Sequence, residues 1–392
     1  MKIDVYTANF TDADAASTDF STWLNRAESA PDFLALHMSV TTLKSPPRAL
    51  VPDTVALHGA TSCLGVMGKE GPKVENGIGA FAIWDEDGDY GTALLEIEGD
   101  PRQTAEQAVI EALAAANRPG EAPDLIWLSA SPGCEEQILG GIESVVGENV
   151  PILGGSAADN SVSGEWRVFD RDREFGNGVM VTVLFPSKPI SFAYHNGYAP
   201  TEHVGVVTKA KGRLLQEIDG EPAARVYRDW IGSDAIPASV EKTTAILSEG
   251  TLTPLGRYLD SVGNVPYYLL AHPAGLTPSD ELELFADIEV GDRITLMNGS
   301  IGQLTQRAGK VASLAVQSGN MQSSSIAGAL MIYCGGCMLA VQDHLTDVTD
   351  GINRALPDVP YLGIFTFGEQ GVVLDGRNRH GNLMISAVVF GA

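Results

Sequence analysis

The same order of segments, strand, helix, glycine-rich turn and strand, occurs twice in this sequence, and this repetition constrains the fold more than any other feature. In the first copy, the apolar run at residues 124–131 is followed by a helical segment and then by the turn at 153–160, which reads LGGSAADN. A second apolar run, residues 178–185, closes the copy. Short apolar runs bounded by glycine and polar residues are typical of buried strands.

The second copy lies near the C-terminus. An apolar run at residues 329–336 is followed by a helical segment, the stretch 362–369 (LGIFTFGE) and a closing apolar run at 382–390. Several runs are apolar on both faces, which is typical of sheets that helices cover. The sequence therefore predicts an α/β or mixed α+β fold with two structurally related halves, each a mixed sheet covered by helices.

The first part of the chain predicts simpler elements. Residues 1–50 indicate a strand, a helix and a loop, and Pro46–Pro47 and Pro52 break the chain there. A helix is predicted to begin at Asp100, because Asp caps the first N–H groups and the following proline suits the first helical position. It is predicted to end before Pro119–Gly120.

A domain boundary is predicted where Pro186 and Pro189 interrupt the chain. The prediction divides the sequence into an N-terminal domain, residues 1–190, and a C-terminal domain, residues 191–392. Beyond the boundary, residues 204–220 alternate in the manner of a hairpin with a tight glycine turn.

The net charge of the chain limits which macromolecules it is expected to bind. The 392 residues include 25 basic and 50 acidic side chains, a net charge of −25, and 44% of the residues are hydrophobic. Phosphate recognition needs clustered lysine and arginine, so this balance argues against nucleic acid or an anionic membrane as the main partner. The composition is that of a globular protein with enough apolar residues for two cores.

The location follows from what the sequence lacks. Residues 1–7 contain no continuous apolar core of the signal-peptide type, and no apolar run approaches the roughly 20 residues of a membrane helix. Four cysteines do not make a disulfide framework. We therefore expect a cytoplasmic protein without membrane insertion.

Standard catalytic signatures are absent from the sequence. Gly68-Lys69 is followed by Glu70, which excludes a P-loop, and neither H-E-x-x-H nor G-x-S-x-G occurs. The seven histidines include no pair at metal-ligand spacing. The sequence therefore favours ligand binding over catalysis and gives no metal site.

The first glycine-rich turn is a candidate ligand site. Gly154, Gly155 and Ser156 offer backbone N–H groups that can approach an anion, while Asp159 and Asn160 add a carboxylate and an amide. These groups suit a zwitterion, with the backbone donors on its carboxylate and Asp159 on its ammonium. The competing interpretation is a structural turn in which Asp159 and Asn160 cap neighbouring backbone.

Two other strand ends carry comparable groups, and polar groups at strand ends commonly line pockets. One offers an aromatic ring beside a carboxylate, and the other offers hydroxyls and a thiol. The candidates are Phe367, Gly368 and Glu369 in the second copy, and Thr61, Ser62 and Cys63 after the earlier apolar run.

The pair Cys334 and Cys337 forms a C-x-x-C motif directly after a predicted strand. One interpretation is a thiol-redox site. The alternative is a tight glycine turn with two buried thiols that behave as small apolar side chains. Cys63 and Cys134 are likewise expected to be core thiols unless Cys63 contacts the ligand.

Six segments, in order, resemble the FIST family, the two-part sensory domain of bacterial signalling proteins that also occurs in some F-box proteins. The resemblance covers most of the chain. The segments are residues 57–65, 151–159, 195–198, 214–220 with 222–227, 328–334, and 363–369 with 380–382.

The resemblance implies a sensory module that binds a small molecule, with amino acids or similar polar metabolites as the expected ligands. Some members are described as haem-binding gas sensors, in which case His195 or His380 is the expected axial ligand. No kinase or cyclase segment is recognised in the sequence, so a separate signalling protein such as a histidine kinase or cyclase is the expected partner. By this resemblance Cys334 joins the ligand-binding candidates. An adaptor without a ligand is the remaining alternative.

Overall fold

The computed structural model describes residues 1–10, 13–42, 47, 50–232, 234–263 and 265–392. The predicted break at Pro46 lies outside the described residues, whereas Pro47 and Pro52 lie in irregular chain. Among the described residues, no helix has both the length and the apolar character that crossing a membrane requires.

The described helices cover the sheets. Asp100 caps the second of them by accepting a hydrogen bond from the Arg102 N–H, and Pro101 holds the first position, so the predicted helix start is confirmed. The helices are α1 (Ala13–Leu24), α2 (Pro101–Ala115), α3 (Glu135–Val146), α4 (Ala223–Ile231), α5 (Leu247–Thr251), α6 (Ile301–Ser318), α7 (Gly335–Ala340) and α8 (Leu345–Ala355).

The described strands are numbered in chain order. The first thirteen are β1 (Lys2–Asn9), β2 (Phe33–Met38), β3 (Ala56–Thr61), β4 (Gly65–Gly68), β5 (Gly71–Val74), β6 (Gly77–Trp84), β7 (Asp89–Glu96), β8 (Leu125–Ala130), β9 (Ile152–Ser156), β10 (Val168–Phe169), β11 (Glu174–Phe175), β12 (Gly178–Phe185) and β13 (Ile190–Asn196). The others are β14 (Ala199–Lys211), β15 (Leu214–Ile218), β16 (Glu221–Pro222), β17 (Thr244–Ala245), β18 (Leu255–Val262), β19 (Val265–Ala271), β20 (Pro273–Leu276), β21 (Leu282–Leu284), β22 (Arg293–Asn298), β23 (Ile326–Cys334), β24 (Tyr361–Thr366), β25 (Glu369–Val372), β26 (Asn378–Gly381) and β27 (Met384–Gly391).

Three six-stranded sheets share one strand order: β1-β6-β2-β3-β10-β11, β7-β12-β8-β9-β25-β26 and β13-β27-β23-β24-β4-β5. In each sheet the third and fourth strands are parallel, as β2–β3, β8–β9 and β23–β24. The mixed α/β fold predicted from the sequence is confirmed. Both predicted copies are present, at β8–β12 and β23–β27, and residues 2–84 form a further copy of the same pattern. In chain order, residues 2–84 are called the first copy, β8–β12 the second copy and β23–β27 the third copy from here on.

A hairpin from each copy completes the sheet of another copy. The hairpin β4–β5 pairs with β24, β25–β26 pairs with β9, and β10–β11 pairs with β3. The exchange is cyclic, so none of the three sheets is built from one continuous stretch of chain. The predicted domain division between residues 190 and 191 is not tested by this arrangement and stays a prediction.

Alternate residues of the central strands enter different cores, which explains why these strands are apolar on both faces. In β2, Phe33 and Ala35 belong to a core that all three sheets share, whereas Leu34 and Leu36 pack beside residues of α1. In the same way Trp127 of β8 lies in the shared core, and its neighbours in sequence pack against α2 and α3.

The fourth sheet is an insertion between β13 and α6, which we call the inserted sheet (residues 199–298). Its strand order is β17-β20-β21-β15-β14-β22-β18-β19, with β16 paired to β15. The hairpin predicted over residues 204–220 is present as β14–β15, and Gly212 adopts a φ of 57° in its turn. The sheet has its own apolar core, which includes Leu215, Leu255 and Ile294.

Candidate functional site

The C-terminal ends of β3, β9 and β24 meet, and each ends in a hydroxyl residue: Thr61, Ser156 and Thr366. A cycle of backbone hydrogen bonds joins the three ends. The Cys63 N–H donates to the Phe365 carbonyl (3.0 Å), the Phe367 N–H to the Ser156 carbonyl (3.1 Å), and the Ala158 N–H to the Thr61 carbonyl (3.0 Å). The turns that the sequence singled out are therefore neighbours in space, and they contact each other directly.

The glycines of the first turn allow close packing. A Cβ atom at Gly154 would collide with the carbonyl of Leu128, and one at Gly155 would collide with the side chain of Thr366. Gly368 is packed in a similar way against the ring of His380. Close packing is therefore enough to explain why glycine occupies each of these three positions. Contact of the three glycines with a ligand stays a prediction.

Asp159 is fully buried, and its carboxylate is surrounded by backbone donors of the following loop. Burial alone would raise the pKa of Asp159, but these hydrogen bonds outweigh it and lower the pKa. Both oxygens are engaged, so the carboxylate orders residues 160–165. The donors are the N–H groups of Ser161, Val162, Ser163 and Glu165.

The neighbouring polar candidates join chain segments of different copies. Asn160 accepts a hydrogen bond from the Leu64 N–H (2.8 Å) and donates one to Ser39 (3.1 Å). The hydroxyl of Ser62 accepts from the Phe365 N–H (2.8 Å). Their contact with a ligand is not tested by these bonds and stays a prediction.

Glu369 is fully buried beside Cys334. Its carboxyl accepts hydrogen bonds from the Thr366 hydroxyl (2.8 Å) and the Met384 N–H (2.9 Å). Burial, followed by the nearby thiol of Cys334, raises the pKa of Glu369 well above its usual value. Both effects favour the neutral form of the Glu369 carboxyl.

A pocket of about 640 Å³ lies between the inserted sheet and these strand ends, and we call it the sheet pocket. One wall comes from the inserted sheet and its helix α5, namely Leu247, Thr251, Leu252, His272 and Phe285. The other wall comes from the third copy, namely Cys334, Gly336, Leu339, Phe367 and Asn382. The lining also includes Ala245, Ser248 and Glu249 on the first wall, Ala340 on the second, and Val162 in the loop that Asp159 orders.

The lining also contains polar side chains, among them Ser248, Glu249 and Thr251, and its two buried nitrogen-bearing side chains are His272 and Asn382. The His272 ring lies 3.0 Å from the Leu247 carbonyl through Nε2, so this nitrogen carries the proton. Burial lowers the pKa of His272 to about 4, which keeps the ring neutral at physiological pH. Asn382 accepts a hydrogen bond through Oδ1 from the backbone N–H of His272 (3.2 Å), while its Nδ2 is buried without a partner among the described residues.

The structure thus brings two of the predicted site residues, Cys334 and Phe367, to the pocket wall. The remaining candidates at the strand ends support this wall from behind or belong to neighbouring turns. Sequence reasoning missed His272 and Asn382 as pocket residues, although Asn382 belongs to the stretch 380–382 that resembles the family. Their meeting joins residues 110 positions apart, which no local pattern reports.

The C-x-x-C motif lies at the start of α7, where Cys334 precedes the first helical residue. Both thiols are free and buried. Burial, followed by the neighbouring thiol of Cys337, raises the pKa of Cys334 well above its usual value, so thiolate is scarce. Burial also raises the pKa of Cys63 to about 12 and that of Cys134 to about 11.

Neither histidine proposed for haem lines the sheet pocket. His195 lies at the end of β13, where its Nδ1 is 2.9 Å from the Asn196 carbonyl. His380 lies 3.2 Å from the Gln370 amide. Neither His195 nor His380 therefore offers an axial ligand to the sheet pocket, and haem binding stays a prediction.

A buried charge cluster holds the inserted sheet against the second copy. Glu135, Glu136 and His380 place their polar atoms within 4.8 Å of one another. The guanidinium of Arg213, at the start of β15, contacts Glu135 (2.6 Å) and Glu136 (2.8 Å). Arg213 therefore supplies the cation of this cluster.

Comparison with known families settles the relationship. Residues 35–221 match the FIST N domain and residues 223–372 match the FIST C domain. The chain belongs to the FIST family. FIST domains are sensory domains of signal transduction, and the sheet pocket of this FIST chain is formed within the matched residues together with Asn382.

Individual relatives are distant. An uncharacterized protein of Methanocaldococcus jannaschii, MJ1623, is 32% identical over 88 residues, which span 21% of this FIST chain and 16% of that relative. Among solved structures, a cyanuric acid hydrolase from A. caulinodans aligns over 99% of this chain and 98% of its own at 9% identity, with a TM-score of 0.36. PurL of T. maritima complexed with AMPPCP aligns over 78% and 72% at 10% identity, with a TM-score of 0.23. Likeness at these scores carries no argument about function.

Proposed function

We propose that this FIST chain senses a small molecule that binds in the sheet pocket. The pocket itself is the observation that carries the proposal. Its volume of about 640 Å³ falls within the range of small-molecule sites, and its lining combines apolar walls with a few polar groups. The role of FIST domains as sensory domains of signal transduction supports the proposed sensor function.

The two walls of the pocket come from different parts of the chain, so ligand binding can change how these parts are arranged. One wall belongs to the inserted sheet and α5, and the other belongs to the third copy and α7; the two helices pack against each other. A ligand that contacts both walls favours whichever arrangement fits it better, and this differential affinity is what a sensor transmits.

The expected ligand class, cellular location and signalling partner come from the sequence. An amino acid or a similar small polar metabolite is the ligand that the family resemblance implies, in the cytoplasm of a bacterium. The signal would pass to a separate protein such as a histidine kinase or a cyclase. The lining of the pocket itself favours an uncharged small molecule over a free amino acid.

A thermal-shift screen of metabolites, including amino acids, tests the proposal. A ligand present at 100 times its dissociation constant stabilises the folded protein by about 2.7 kcal/mol. We expect at least one metabolite to raise the melting temperature, and we expect Ala340→Trp, which fills the pocket from α7, to abolish that shift.

The matched control is Ala114→Trp, which adds the same bulk to an exposed position of α2. This variant should retain the full shift. A shift that survives unchanged in Ala340→Trp would place the ligand elsewhere, and a folded protein that no metabolite stabilises would contradict the sensor proposal.

A further inference from the structure

The sheet pocket is uncharged inside. No lysine or arginine is found among the described residues that line it, and Glu249, its one acidic lining residue, is exposed at the surface. Burial lowers the pKa of His272 to about 4 and raises the pKa values of the Cys334 thiol and of the Glu369 carboxyl behind it, so each shift favours the uncharged form. A buried charge without a counter-charge is strongly disfavoured, so the interior selects against carboxylate, ammonium and zwitterionic ligands.

The walls are apolar over most of their area. Leu247, Leu252 and Phe285 come from the inserted-sheet side, and Leu339 and Phe367 come from the other side. Such walls bind the apolar body of a ligand by removing it from water.

Asn382 supplies a directional polar contact at this wall. It is 2% exposed, and its Oδ1 is already used by the His272 N–H, which fixes the orientation of the amide. The Nδ2 group therefore has no acceptor among the described residues, and it lies just beneath the pocket surface with almost no accessible area, so a ligand oxygen reaches it through a small shift of the wall. A buried donor without an acceptor is unfavourable, and a ligand oxygen that accepts from it relieves this state.

Resting on the proposed function, we infer that the ligand is a neutral carbonyl compound, such as an amide, ester or lactone, with an apolar body. Its carbonyl oxygen accepts from Nδ2 of Asn382, and its apolar part lies between Phe285 and Phe367. Free amino acids are excluded from the deep part of the pocket by the same argument, because no group there balances either charge.

Four probes with one phenyl body and different head groups test the ligand class: phenylacetamide, phenylacetate, phenethylamine and L-phenylalanine. Titration calorimetry with the full chain should give phenylacetamide a dissociation constant at least about ten-fold lower than that of any charged probe. Asn382→Asp keeps the acceptor for the His272 N–H but replaces the Nδ2 donor. It should weaken phenylacetamide binding by about ten-fold or more at a pH where the new carboxyl is ionised.

Asn117→Asp is the matched control, because it makes the same chemical change at an exposed position after α2. It should leave every dissociation constant unchanged. The probe comparison uses the unmodified protein, so the ligand class stays testable even if Asn382→Asp fails to fold.

The outcomes separate the ligand class from the function. If a charged probe binds most tightly and Ala340→Trp abolishes its binding, the neutral-carbonyl ligand class is overturned and the sensor proposal still stands. Phenylacetamide affinity that is unchanged in Asn382→Asp would also overturn the assignment of the carbonyl to Asn382. No binding by any probe up to about 10 mM would contradict the ligand class, and only the additional failure of the metabolite screen would remove the function.

Discussion

At the scale of single residues, Asp159 decides the order of the loop that carries Val162 to the pocket. Asp159→Asn keeps the size of the side chain but removes its charge and one acceptor, so buried N–H groups lose partners. Charge-assisted hydrogen bonds contribute about 1.5–3 kcal/mol each, and we expect a loss of about 2–4 kcal/mol in the free energy of unfolding. Urea denaturation measures it.

The control for this change is Asp53→Asn, which alters an exposed aspartate. Its effect should stay within about 0.5 kcal/mol. Equal losses in the two variants would show that the hydrogen bonds of Asp159 contribute little.

The glycines of the first turn give a second prediction at this scale. A Cβ atom at Gly154 meets the backbone of Leu128, which cannot move without disturbing the β8–β9 pairing. We expect Gly154→Ala to destabilise the fold by about 1–3 kcal/mol or more through overpacking. Gly99→Ala, where nothing lies within contact distance, should be close to neutral in the same urea experiment. A neutral Gly154→Ala would refute the packing role.

The residue scale also shows the limit of sequence reasoning about the site. The sequence singled out the strand ends, and they do meet, because hydroxyl and glycine residues end buried strands at one place. It did not distinguish an Asp159 that binds a ligand from one that caps its own loop, since both need the same residues. His272 and Asn382 carried no local signal, because their contact is made only by the folded chain.

At the scale of elements, the attachment of the inserted sheet depends on Arg213 and its acidic partners. Burial tends to raise the pKa of Glu135, but electrostatic interaction with the neighbouring His380 and Arg213 and the hydrogen bond from Ser156 lower it to about 2. An unperturbed glutamate titrates near 4.3. The stabilisation by Glu135 is therefore full above that value and is lost as the pH falls towards about 2.

Glu135→Gln removes this pH-dependent contribution. The difference in unfolding free energy between the unmodified protein and the variant should shrink by up to about 3 kcal/mol on acidification from pH 5 towards pH 2. Urea denaturation at a series of pH values measures it. Glu148→Gln, at an exposed position after α3, should show no such trend. A difference that is constant with pH would contradict the ion-pair account.

The element scale explains which copies the sequence revealed. The copies at β8–β12 and β23–β27 have a helix between their parallel strands, so the strand–helix–turn–strand order was visible. Between β2 and β3 the described residues form no helix, and the turn after β3 reads T-S-C instead of having paired glycines. The copy at residues 2–84 was therefore hidden. The hairpin exchanges were hidden as well, because β4 and β24 are nearly 300 residues apart.

At the scale of the whole molecule, the exchanged hairpins predict that the copies depend on each other. A fragment of residues 1–190 contains β9 without its partner β25, and it leaves β4 without β24. We expect this fragment alone to show no cooperative unfolding transition, and we expect mixing it with a fragment of residues 191–392 to restore one. Circular dichroism during urea unfolding measures both. A cooperative transition in the isolated fragment would instead support the two predicted domains as independent units.

The central claim is that a small molecule binds between the inserted sheet and the third copy and couples them. Hydrogen–deuterium exchange of the full chain, with and without the tightest metabolite from the screen, tests it most directly. We predict slower exchange in both α5 and α7, on opposite walls of the pocket, with little change in the distant helix α2. Protection confined to other parts of the chain, or to one wall alone, would contradict the claim.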